Sequence, residues 1–219
     1  MSYTGSVKAG GPVAVRELPG LTIAKQEVGW MGNNAYLLRD RATGDGMLID
    51  AADEAGRLVE LVRLGGPPVR YVLTTHRHGD HWQALRAVVA DTGAQTLAGT
   101  ADADELPVDV NRRLDDGDTV ELGASTLEII GLRGHTPGSV AVLYRDPEGT
   151  AHLFTGDSLF PGGVGKTHSP EDFMSLIDDV EARIFDVLPD DTWFYPGHGD
   201  DSTLGAERPH LAEWRARGW

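Results

Sequence analysis

Four side chains able to bind a metal ion crowd into six positions of the stretch THRHGDHW, residues 75–82: His76, His78, Asp80 and His81. In extended backbone, residues two apart point to the same side, so His76 and His78 can share one ion. Asp80 and His81 are adjacent and point differently, so the crowding suits two ions rather than one. Three more residues sit in similar surroundings: His135 in LRGHTPGS, Asp157 in LFTGDSLF and His198 in YPGHGD. Each follows an expected strand and has small neighbours, and loops on a rigid scaffold are where reactive residues collect. A lone loop histidine is ordinarily a solvated surface residue. Burying several imidazoles with carboxylates has no packing rationale, because each group must be desolvated. All seven donors are nitrogen or oxygen, a set that admits zinc, iron or manganese. Two such cations can share a water, lower its pKa from about 15.7 towards ~7 and polarise a carbonyl. That chemistry hydrolyses an acyl bond without a side-chain nucleophile. The remaining histidines have plainer places: His152 in a strand, His168 before a helix cap and His210 in the last helix.

These residues need a scaffold that brings strand ends together. Strands are expected at 21–28, 34–40, 46–51 and 69–75, with Asp45-Gly46 as a hairpin turn. A helix is expected at 53–64, with Ala55, Leu58, Val59 and Val62 inward and Leu61 beside them, stopped by Gly65-Gly66-Pro67-Pro68. Another helix is expected to start near Asp80, with Leu85, Val88 and Val89 at helical spacing. Further strands are expected at 95–98, 118–122, 125–130, 139–145, 150–155 and 192–197. A helix at 169–185 has a legible start: Ser169 as cap and Pro170 at the first turn. A last helix is expected at 206–218, and residues 1–10 are expected to be frayed. Strand runs interspersed with helices predict a layered α/β domain, two sheets inside and helices outside.

The chain has 219 residues, enough for a single domain over 1–219. Its formal charge is −15, from 34 acidic and 19 basic residues. Such a surface repels nucleic-acid phosphates and anionic membranes, which leaves small molecules and metal cations as the expected partners. There is no cysteine, which excludes disulfides and thiolate metal sites. No apolar run suits a signal peptide or a membrane span, so a cytoplasmic setting is expected. Oligomeric state is not legible.

The order H-x-H-x-D-H, G-H-T-P-G-S, T-G-D-x-L-F and P-G-H-G resembles the metallo-β-lactamase superfamily. Within it the pattern is most similar to glyoxalase II-type thioester hydrolases. The resemblance covers nearly the whole chain and implies a four-layer αββα sandwich of two mixed sheets. It implies His76, His78 and His135 as ligands of one cation, Asp80, His81 and His198 as ligands of a second, and Asp157 as the carboxylate bridging both. Two divalent ions are implied, zinc foremost, iron or manganese otherwise. Asp157 stands where the best-known β-lactamases carry a cysteine, which argues against lactam hydrolysis. Asp80 and Asp157 also rank as catalytic, Asp80 as a group able to receive a proton. Only a short tail follows His198, so the glutathione-binding helical domain of glyoxalase II is not expected. Two other activities of this fold stay open: a single-iron persulfide dioxygenase, using His76, His135 and Asp157, and a lactonase.

PGGVGKT, residues 161–167, imitates the end of a phosphate-binding loop, but that motif needs glycine where Phe160 stands. Nucleotide binding is therefore rejected. The family resemblance makes Lys166 a candidate contact for a substrate carboxylate. Trp30 and Met31, in the early hairpin, are candidate walls of the substrate pocket.

Overall fold

Both faces of most strands are apolar, so each sheet must be covered twice. The computed structural model, which describes residues 3–67 and 69–218, shows how. The first sheet opens with β1 (Ala14–Glu17), β2 (Leu21–Val28), β3 (Asn33–Asp40) and β4 (Gly46–Ile49), successively antiparallel. It continues through helix α1 (Ala55–Leu61), β5 (Tyr71–Thr74), helix α2 (Leu85–Thr92), β6 (Gln95–Gly99) and β7 (Arg112–Leu114). Crossovers make β4 to β7 mutually parallel, and the strand order follows the chain.

The second sheet comprises β8 (Thr119–Leu122), β9 (Ser125–Gly131), β10 (Val140–Arg145) and β11 (Ala151–Gly156). A small hairpin, β12 (Leu159–Phe160) and β13 (Gly163–Val164), lies outside it, followed by helix α3 (Pro170–Val180). Then come β14 (Trp193–Pro196), β15 (Ser202–Thr203), α4 (Leu204–Glu207) and α5 (Leu211–Arg217). The order is β15-β14-β11-β10-β9-β8, with β11 and β14 parallel and the other pairs antiparallel.

Strand alternation distributes the core into three layers. Leu21, Ile23, Tyr36, Leu38, Ile49 and Leu73 face Ile129, Val142, Phe154 and Tyr195 between the sheets. Leu37, Leu48 and Val72 point the other way, onto Leu58, Leu61, Leu85 and Val88 of α1 and α2. Ala141, Leu143 and Leu153 pack under Phe173, Leu176, Ile177 and Trp214 of α3 and α5. This is the αββα sandwich of two mixed sheets. No helix among the described residues is long and apolar enough to cross a membrane.

Several expectations are corrected. The helix expected from Asp80 begins at Leu85. Gly79–His81 is a single 3-10 turn, and the amides of Gln83 and Ala84 donate to the carbonyls of Ala52 and Ala51 instead of to a preceding helical turn. The last helix is interrupted at Arg208–His210, where Pro209 has no amide to donate. The helix over 169–185 ends its regular part at Val180 and closes with a π turn, Glu181–Phe185. β1, β7, β12, β13 and β15 were not anticipated; each has four residues or fewer. Of the ten residues expected to be frayed, Met1 and Ser2 lie outside the described residues. Tyr3 and Gly5 are held, the Tyr3 hydroxyl donating to Asp201 at 2.6 Å and the Gly5 carbonyl accepting from Lys25 at 2.7 Å. Pro68, part of the expected helix stop, lies outside the described residues, as does Trp219.

Candidate metal centre

Strand ends supply the site. His76 and His78 leave the end of β5, His135 lies between β9 and β10, Asp157 follows β11, and His198 follows β14. The sandwich brings these ends to one edge. All seven residues expected to bind metal meet there. Ligating atoms fall in three overlapping groups, each within 4.8 Å: His76, His78 and His135; His76, His81 and Asp157; Asp80, His81 and His198. His76 Nε2 is 3.1 Å from His78 Nδ1 and 3.3 Å from His135 Nε2. His198 Nε2 is 3.4 Å from both Asp80 Oδ2 and Asp157 Oδ2. Asp157 reaches both ends of the cluster: Oδ1 is 3.3 Å from His81 Nε2, and Oδ2 is 3.8 Å from His135 Nε2.

The other ring nitrogens fix the tautomers. Asp50 Oδ2 accepts from His81 Nδ1 at 2.8 Å and from the Thr75 hydroxyl at 2.8 Å. Since that hydroxyl gives its proton to Asp50, its oxygen accepts from His76 Nδ1 at 3.0 Å. His135 Nδ1 donates to the Lys166 carbonyl at 2.7 Å, and His198 Nδ1 to the Met31 carbonyl at 3.2 Å. Four Nε2 lone pairs are thereby aimed into one small space. Lone pairs about 3 Å apart repel unless something positive lies among them.

With no cation present, the carboxylates instead favour a proton on two of these imidazoles, in the place a cation would take. Burial disfavours a charge on Asp157, yet the imidazoles of His81 and His198 outweigh it and hold the carboxyl well below its usual range. His81 is buried too, but Asp50 and Asp157 push its pKa well up. His198 rises to about 9, where Asp157 and Asp80 overcome the effect of burial. His76, buried and close to the other imidazoles, is pushed well down and stays neutral, as a ligand must. Among the described residues, the buried His81 Nε2 and Asp157 Oδ1 have no hydrogen-bond partner, although they face each other. A cation between them would satisfy both, and the donor set fits divalent metal. Gly197 is part of the fit: a Cβ there would run into Asp157 Oδ1 and come 2.7 Å from His81 Cε1.

Residues that sequence reasoning missed are the supports. Asp50, just past β4, grips Thr75 and His81. The Asn33 amide donates to Asp80 Oδ2 at 2.9 Å and lies 3.3 Å from His198 Nε2. Buried Asp102 accepts from the Arg77 amide at 3.0 Å, the Gly138 amide at 2.9 Å and the Thr136 hydroxyl, tying the His76 and His135 loops together. Thr75 is a direct partner of a candidate ligand, His76. The expected substrate contacts lie at the rim. Trp30 is 86% exposed and Met31 is 47% exposed. Lys166 is exposed, and it is its carbonyl that touches the centre. The Phe160 ring is 6.4 Å from that of His198, and a cavity of about 320 Å³ beside His78 and His135 is bordered by Arg77, Arg133 and His168. The rejected phosphate loop forms the turn and second strand of the β12–β13 hairpin and the three residues after it.

An αββα sandwich with nitrogen and oxygen donors collected at its strand ends is a recognisable class. The chain belongs to the metallo-beta-lactamase superfamily, whose family model matches residues 28–198. Among its relatives is a hydroxyacylglutathione hydrolase of Fuscovulum blasticum, 35% identical over 168 residues, 76% of this chain and 62% of the relative. The chain thus spans less than two thirds of that relative's length. Among solved structures, ETHE1 from Myxococcus xanthus superposes with a TM-score of 0.77 at 26% identity, covering 89% of this chain and 84% of that one. TTHA1623 in a di-iron-bound form gives 0.69 at 30% identity, with 84% and 96% covered.

Proposed function

We propose that this chain is a dinuclear metal-dependent hydrolase of thioesters, acting on a small S-acyl thiol conjugate. One observation carries the reading: two complete donor sets, His76/His78/His135 and Asp80/His81/His198, lie side by side with Asp157 reaching both. Two bound cations would activate a shared water and polarise the thioester carbonyl. The chain's own residues do the rest. Asp50, Thr75 and the carbonyls of Lys166 and Met31 hold the imidazole protons outward. Asp80, held by Asn33, would take the proton from the attacking water's oxygen and pass it to the departing thiolate. Trp30, Met31 and Lys166 stand at the rim as candidate contacts for the acyl group and its carrier.

The hydroxyacylglutathione hydrolases among the relatives support the thioester class, and the di-iron form of TTHA1623 supports two metals. Zinc is the first expectation and iron the second. A small-molecule substrate and a cytoplasmic setting go with this reading. The single-iron dioxygenase would leave Asp80, His81 and His198 without a task, which is why the two-cation reading is preferred.

The test is elemental analysis of protein purified without added metal, followed by a thioester panel. Close to two ions per chain with thioester turnover is expected. One iron, with oxygen uptake on a persulfide, would replace this reading by the dioxygenase. Asp157→Ala should lose metal and turnover together; full retention of both would sink the site assignment.

A further inference from the structure

His198 is less sheltered than His81, its neighbour in the second donor set. Its side chain is 24% exposed, against 0% for His81, and its outer nitrogen has a single hydrogen bond, 3.2 Å long, to the turn carbonyl of Met31. Its place must therefore be set by the backbone of the loop between β14 and β15. That loop is held almost atom by atom. The Pro196 carbonyl accepts from the Tyr36 hydroxyl at 2.7 Å and from Asn34 Nδ2 at 2.9 Å. The Gly197 carbonyl accepts from the Asn34 amide at 2.7 Å. Beyond His198 the anchor is a lysine. Lys25, in the middle of β2, has its ammonium fully buried and donates to the Gly199 carbonyl at 2.8 Å, to Asp201 Oδ1 at 2.7 Å and to the Gly5 carbonyl at 2.7 Å. Asp201, equally buried, accepts from Tyr3 through its other oxygen at 2.6 Å.

A buried ammonium is costly unless all three of its N–H groups find acceptors, and here they do. An apolar residue would fill a sheet position at less cost. What the lysine provides is directional: it joins β2, the segment at residue 5 and the loop on the far side of His198.

We propose that Lys25, with Asp201 and the strap formed by residues 3–5, is a positioning device for His198 and so for the second cation. The proposal rests on the two-cation reading. In Lys25→Met, the Gly199 carbonyl keeps only Asn34 Nδ2 and Asp201 only its tyrosine donors, the loop relaxes, and Asp80/His81/His198 loses its third member. The first set has anchors of its own, Thr75 on His76 and Asp102 under the His76 and His135 loops, neither of which touches Lys25.

The experiment is a titration of metal-free protein with zinc(II), resolving successive equivalents by chelator competition. Wild type should take up two equivalents. Lys25→Met should keep the first with unchanged affinity and bind the second at least tenfold more weakly. Tyr3→Phe, which removes only the hydroxyl on Asp201 and leaves the ion pair, should weaken the second alone by a few-fold and keeps the test open if Lys25→Met does not fold. Thr96→Val, buried in β6 and bonded to Asp109 and Asn111, should lower stability and leave both equivalents unchanged. Two equivalents of wild-type affinity in Lys25→Met, or, where that variant is unfolded, in Tyr3→Phe, would overturn the positioning role. Equal weakening of both equivalents would reduce it to general stability. A wild type that binds a single equivalent would overturn the two-cation reading itself, a failure visible before any variant is made.

Discussion

A histidine becomes a ligand only when its proton is kept on the far nitrogen, and here one carboxylate does that for two of them. Asp50 sits at φ 58°, a left-handed conformation unusual outside glycine but tolerated by Asp and Asn. From there its two oxygens take the Thr75 amide, the Thr75 hydroxyl and His81 Nδ1. Asp50→Asn keeps the backbone geometry and one acceptor but loses the charge. It should weaken metal binding by ~10–100-fold without unfolding the chain. Zinc affinity by competition, with far-UV circular dichroism as control, checks this; unchanged affinity would remove Asp50 from the centre. The seven candidate ligands were legible because their types are distinctive and four share one stretch. Asp50, Asn33 and Asp102 were not, because an Asp or Asn near a strand end looks like any turn residue until the chain brings it to its partner.

Elements with strong periodicity were legible nearly to the residue: β2 is observed at Leu21–Val28, as expected. Misplaced boundaries fall where tertiary hydrogen bonds outbid local propensity, above all at α2, whose expected first turn is diverted to deliver Asp80 and His81. The start of α3 was legible because capping is local. The Ser169 hydroxyl accepts from the Asp172 amide at 3.1 Å, with Pro170 in the first turn. Ser169→Ala should cost about 1 kcal/mol. Chemical denaturation should register that loss while metal content stays unchanged. A fall in metal content would mean that the α3 start, a few residues from Lys166 and its hold on His135, is part of the centre.

Across the whole molecule, the apolar layer between the sheets encloses one titratable imidazole. His152 is 1% exposed, with Nδ1 2.9 Å from the Tyr195 hydroxyl. Burial, helped by Arg16, lowers its pKa from 6.5 to about 4. Between these values the unfolded chain takes up a proton that the folded chain refuses. This contribution to stability is therefore intact above pH 6.5 and lost as pH falls towards 4, by roughly 2 kcal/mol at pH 4.5. Urea midpoints at pH 7 and 4.5 should differ more for wild type than for His152→Gln; equal differences would refute it. The order of strands has a different consequence. Each sheet is built from one uninterrupted half of the chain, Ala14–Leu114 and then Thr119–Thr203, with only the link at residues 115–118 between them. The candidate ligands divide likewise, four before the link and three after it. The protein can thus be cut in two without cutting either sheet. Fragments 1–116 and 117–219, made as separate polypeptides, should each be poor at holding zinc(II). When mixed they should find each other through the inter-sheet apolar faces and regain it, which makes metal retention a reporter of reassembly.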